Sequence, residues 1–214
     1  MIIDQPSMVI LVDCYKSTTD SIRYREFYTK LTKFLDTAPD NIKTYVLASY
    51  NCPNERQKIV WFTNYNKMIR ESNSHALEDL AHIHKTYDQR DYPEEQTDPA
   101  ILNYKNKKKY QIAMNRIWEL NYYLSLHPEI KNIYVVGTVW EICIRNRPLG
   151  YQGLFEEIPN VNILVNPEYI LKLDATNPDI TNEPDWKHIE NNIYKYEPIN
   201  PMSILETRTF PVIY

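Results

Sequence analysis

The sequence predicts a doubly wound, three-layer α/β/α domain with a mostly parallel sheet, and three observations carry that prediction. Short, continuously apolar, β-rich runs alternate with segments of helical period, the pattern of a parallel sheet covered on both faces. The strand-like runs end in polar or reactive residues, Asp13, Cys14 and Cys52 among them, at the carboxyl ends where such a sheet binds its ligands. A length of 214 residues, 43% of them hydrophobic and 24% charged, suits one domain with a substantial core.

Each element has its own local reason. Met8-Val9-Ile10-Leu11-Val12 is short and apolar throughout, a strand buried on both faces. Between Ser21 and Leu35 the residues Phe27, Leu31, Phe34 and Leu35 recur at helical spacing. Ala38-Pro39-Asp40-Asn41 ends that helix, and Thr44 to Ala48 reads as the second strand. Ile59 to Phe62 fits a strand or a helix start, His75 to Ile83 is helical, and Tyr87 to Pro99 is a polar loop. A short strand is expected from Ile101 to Tyr104. The next helix carries Ala113, Ile117, Leu120 and Leu124 on one face and stops near His127-Pro128.

The strongest β-α-β signal follows. Ile133-Tyr134-Val135-Val136 is a buried-type strand, Gly137-Thr138 leads into a short helix through Cys143, Gly150 ends it, and Val161 to Val165 is a strand. From Asn177 the chain is rich in proline, with a helical patch expected near Trp186 to Ile193. The expected division is an α/β domain over 1–176 and a Pro-rich arm over 177–214, packed on the domain or on a neighbouring subunit. A homo-oligomer or a larger protein assembly is therefore expected.

Composition narrows the function classes. The net charge of −4 and the shortness of the only basic run, Lys105 to Lys109, give nucleic acid no basic surface. No apolar run is long enough for a membrane span, and the first residues lack the pattern of a signal peptide. Three cysteines without disulfide-like spacing fit a reducing, cytoplasmic compartment. Tyrosine is abundant at 18 and glycine scarce at 3, and Gly137, Gly150 and Gly153 all lie near Cys143. Either the backbone there has demanding geometry, or turns elsewhere use Asn and Asp instead. Cys14 and Cys52 read as structural. A zinc site made with Cys143 lacks the paired spacing such sites have, so no metal and no cofactor are expected. His75, His82 and His84 fall on a polar helix face, where solvent exposure is the ordinary outcome.

Cys143 follows a strand and enters a helix, where unpaired N–H groups and the helix dipole stabilise a thiolate. Nucleophilic attack also needs a base and a cation, which Asp13 and a lysine of the 105–109 run could supply. Here the chain resembles the isochorismatase-like cysteine hydrolases, the family that includes nicotinamidases. Met8-Val-Ile-Leu-Val-Asp13 is similar to that family's opening strand and aspartate, and Val-Val-Gly137-Thr-Val-Trp-Glu-Ile-Cys143-Ile to its strand, glycine and cysteine. Gly150-Tyr151 resembles its helix-ending turn, and the likeness in element order covers residues 8 to 170.

The resemblance implies an isochorismatase-like fold and a hydrolase that cleaves a C–N or C–O bond of a small molecule through a covalent intermediate. Cys143 would be the nucleophile, Asp13 the base and Lys105 the lysine, with Lys109 the other candidate. Thr138, Val139 and Trp140 would contact substrate. Tyr50-Asn51-Cys52-Pro53 stands where metal-using members carry a histidine motif. Pro148 keeps the nucleophile helix short, and Arg145 and Arg147 replace small residues, adding bulk and positive charge. These departures define the alternative, an inactive member of the fold that serves as a structural or interaction subunit.

Overall fold

A computed structural model describes residues 4–14, 22–48, 101, 110–114, 117–147 and 149–199. It is an α/β structure built on a mixed, mostly parallel sheet. In chain order the elements are β1 (Ser7–Val12), α1 (Ile22–Thr37), β2 (Ile42–Ala48), β3 (Tyr110–Ala113), α2 (Ile117–Leu126) and β4 (Asn132–Thr138). A π-helical turn (Trp140–Ile144), α3 (Tyr151–Glu157), β5 (Asn162–Val165), a 3-10 turn (Pro167–Tyr169), β6 (Ile170–Leu171), β7 (Trp186–Glu190) and β8 (Ile193–Tyr196) follow.

The strand order is β3-β2-β1-β4-β5-β8-β7, with β6 also paired to β4. β1 lies parallel to both β2 and β4, with Ile10 opposite Val46 on one side and Val135 on the other. From β1 the chain runs outward through β2 and β3 on one side and through β4 and β5 on the other.

Alternate residues of β1 enter two cores. Met8, Ile10 and Val12 pack with Leu120 and Tyr123 of α2 and Tyr151 and Leu154 of α3. Val9 and Leu11 pack with Phe27, Tyr28, Leu31 and Leu35 of α1. Both faces are thus covered, which is why β1 and β4 are apolar along nearly their whole length instead of alternating. Each such side chain taken from water contributes about 1.5–3 kcal/mol before the entropy of ordering it is counted.

Two local expectations are corrected by pairing partners distant in sequence. Ala113 does not open a helix. Tyr110–Ala113 is β3, parallel to β2 with Ala113 opposite Leu47, and α2 begins at Ile117. Alanine is the best helix former, but intrinsic propensity is under about 1 kcal/mol per residue and a ladder of backbone hydrogen bonds overrides it. Of the strand expected over Ile101 to Tyr104, Ile101 is buried and helical, and the remainder lies outside the described residues. The elements expected over 59–62, 75–83 and 87–99 also lie outside them.

The helical patch expected near Trp186 to Ile193 is a β-hairpin. Its two turn residues, Asn191 and Asn192, have φ of 49° and 59°, the left-handed pair a two-residue hairpin turn needs. β8 then runs antiparallel to β5, with Leu164 opposite Lys195 and Val165 opposite Tyr194. Aromatic rings fix the hairpin to the helix layer. Trp186 lies 5.0 Å from Tyr151 and 5.7 Å from Trp140, and Tyr196 lies 4.7 Å from Tyr151, between ring centroids.

Candidate active site

The carboxyl ends of β1 and β4 bring Asp13, Thr138 and the turn bearing Cys143 together. Gly137 makes the approach tight. It pairs with Val12 at φ +123°, and a Cβ there would collide with the Val12 carbonyl. Asp13 leaves β1 at φ 47°, a left-handed conformation that a short polar side chain tolerates. The Asp13 backbone N–H donates to Ala48 O at 2.8 Å, and the Thr138 hydroxyl donates to Asp13 O at 2.6 Å. Thr138 is joined to Val139 by a cis peptide bond.

Cys143 is the fourth residue of the π-helical turn. Its N–H donates to Val139 O at 2.8 Å, as does that of Ile144 at 3.0 Å. Gly150 lets the following chain fold back beneath this turn, because a Cβ there would lie 2.5 Å from Ile144 O and 2.9 Å from Cys143 O. Of the two explanations for the glycine cluster, backbone geometry accounts for Gly137 and Gly150.

Asp13 is buried, with 1% of its side chain exposed, and the Nε of Arg147 donates to its Oδ2 at 2.7 Å. The Cys143 thiol is half-buried, and the Asp13 carboxylate lies near enough to act on it. Burial, and next the Asp13 carboxylate, push this thiol up to about 11. A hydrogen bond from the Val139 backbone and the Arg147 charge oppose that rise. The expected stabilisation of a thiolate by a helix N-terminus is therefore outweighed, because burial disfavours the charged sulfur and the nearby carboxylate disfavours it further.

Of the other candidate residues, Thr138 is buried and spends its hydroxyl on Asp13 O. Trp140 is buried against Tyr151 and Trp186, and Val139 is half-buried. Cys14 is buried, its sulfur 3.7 Å from Val12 O. Lys105, Lys109, Cys52, Pro148 and the three histidines 75, 82 and 84 lie outside the described residues. Among the described residues no group of three or more His, Cys, Asp or Glu side chains is placed to hold a metal ion, and no helix is long and apolar enough to cross a membrane.

Arg147 is the residue that sequence reasoning passed over, reading it as added bulk and charge. Its signal was present in the spacing. Arg147 stands four residues after Cys143, one helical turn on, and its backbone N–H donates to Cys143 O at 3.1 Å. What the spacing did not contain was the position of Asp13 across the sheet.

The ionisable groups also predict an alkaline limit. Burial first, and then neighbouring carboxylates, push the hydroxyls of Tyr134 and Tyr196 up to about 12 from 10.0, and burial raises Tyr151 against the opposing charge of Arg145. These groups and the Cys143 thiol are neutral when protonated. The folded chain keeps protons that the unfolded chain releases, so their contribution is full below the unfolded values of 9.0 and 10.0. It is lost as pH rises through about 11 to 12. The melting midpoint should therefore fall steeply across that window, with tyrosinate absorbance rising as the chain unfolds. Tyrosinate forming well before unfolding would contradict it.

The chain matches no family model, no curated protein and no solved structure.

Proposed function

We propose that this chain is a doubly wound, three-layer α/β/α hydrolase of isochorismatase-like fold that cleaves a C–N or C–O bond of a small molecule with Cys143 as nucleophile. The observation that carries this reading is the buried Asp13 carboxylate, held at 2.7 Å by Arg147 from the turn that bears Cys143 and close enough to raise its thiol. The pair sits where the strand order reverses, between β1 and β4, the place where open α/β sheets bind ligands.

For a carbonyl substrate, the thiol proton passes to Asp13 as sulfur bonds to the carbonyl carbon. The C–N or C–O bond then breaks, and the leaving amine or alcohol takes that proton from Asp13. Water attacks the resulting thioester and gives a proton to Asp13. As the C–S bond breaks, that proton returns to sulfur and the acid is released. The raised thiol is compatible with this sequence, because proton transfer accompanies attack instead of preceding it. A reducing, cytoplasmic compartment suits a free thiol with this role.

The same raised thiol favours a second reading, an inactive member of the fold acting as a structural or interaction subunit of a homo-oligomer or larger assembly. A panel of small amides, esters and enol ethers separates the two readings. Trapping by intact mass should show a covalent adduct on the wild type that Cys143→Ala lacks, with turnover falling by about a thousandfold or more. Unchanged turnover in Cys143→Ala would remove Cys143 as the nucleophile, and a wild type that forms no adduct and turns nothing over would leave the second reading.

A further inference from the structure

The Asp13 carboxylate has to face the thiol in order to take its proton. A carboxylate turns about its own bond axis, so its direction is set by what holds its oxygens. The Nε of Arg147 donates to Oδ2 at 2.7 Å, a charge-assisted bond of the stronger kind. The Arg147 side chain is 31% exposed where Asp13 is 1% exposed, so the guanidinium bridges from the surface to the buried carboxylate. Its backbone is tied to the nucleophile's own turn through Cys143 O at 3.1 Å, and the Arg147 carbonyl would lie 3.0 Å from a Cβ at Gly150. One turn of chain therefore carries both the thiol and the group that grips its acceptor.

We propose that Arg147 is the positioning residue of the Asp13–Cys143 pair, fixing the carboxylate by Oδ2 so that it is presented to the thiol, in the part that the family resemblance gives to a lysine. The inference rests on the reading of Cys143 as nucleophile and Asp13 as base. Asp13, from the end of β1, and Arg147, from the thiol's own turn, are the charged groups described as acting on the thiol.

The test is a double-mutant cycle on the pH dependence of Cys143 alkylation by iodoacetamide, followed by peptide mass on the full chain. Because Asp13 raises the thiol, Asp13→Asn should lower the alkylation midpoint, by about one pH unit or more. If Arg147 positions Asp13, the same substitution should lower it far less in an Arg147→Gln background. Arg147→Lys keeps the charge but loses the planar fork, and should give an intermediate effect. Equal shifts from Asp13→Asn in both backgrounds would overturn the proposal, as would no shift in either. Should Arg147→Gln fail to fold, the cycle run in Arg147→Lys decides by the same criterion, a diminished shift against an equal one. The readout needs no turnover, so a protein without hydrolase activity would sink the reading of function while the cycle still decides the role of Arg147.

Discussion

Gly137→Ala is expected to be among the most damaging single substitutions in this chain. The added Cβ would meet the backbone of Val12, at 2.9 Å from its nitrogen and closer still to its carbonyl oxygen. Val12 is part of β1, held on both sides by β2 and β4, so neither backbone can yield without breaking a central ladder. The residue also sits at φ +123°, where an L side chain is strained whatever space it has. Overpacking and left-handed strain together cost about 2–5 kcal/mol, against a total stability of about 5–15 kcal/mol for a typical domain. The expected result is a melting midpoint lower by roughly 10 °C, or an insoluble product. A Gly137→Ala protein that melts with the wild type would show that Gly137 does not lie against Val12 as described.

The second large effect is expected at Trp186. Its ring is 6% exposed and lies 5.7 Å from Trp140, 5.0 Å from Tyr151 and 4.9 Å from Tyr196. Trp186→Ala should cost about 3–5 kcal/mol. The loss should be local before it is global, because the hairpin meets the remaining sheet through β8 on β5 and can open as a unit. Hydrogen exchange should therefore speed up across residues 186–196 and in α3 while β1 and β4 stay protected. Loss of protection spread evenly over the sheet, or no loss at all, would contradict this account of how the hairpin is held.

The parallel half of the fold was legible because its signals are local. β1, α1, β2, β4 and β5 each carry their own period, and the expected boundaries lie within two residues of those found. Asp13 and Cys143 were legible for the same reason, since each follows a strand whose end could be read directly. The hairpin was not legible. Trp186 to Ile193 has no strong alternation, and only the docking of Trp186 and Tyr196 on Tyr151 makes a strand of it. Ala113 failed similarly, because its state depends on Leu47, 66 residues earlier.

The sequence by itself determined a parallel α/β sheet and the strand-end positions of an aspartate and a cysteine, because alternation and apolar run length are written residue by residue. Only the tertiary structure decided how those two residues meet. It buried the Cys143 thiol near the Asp13 carboxylate, and burial first and that charge next push the thiol up to about 11 where local placement argued for a thiolate. It also turned Arg147 from apparent bulk into the partner of Asp13. The physical reason is the range of the forces. Backbone preference acts over a few neighbours, whereas burial and charge depend on which strands lie side by side, and β1 and β4 are brought together across more than a hundred residues of chain.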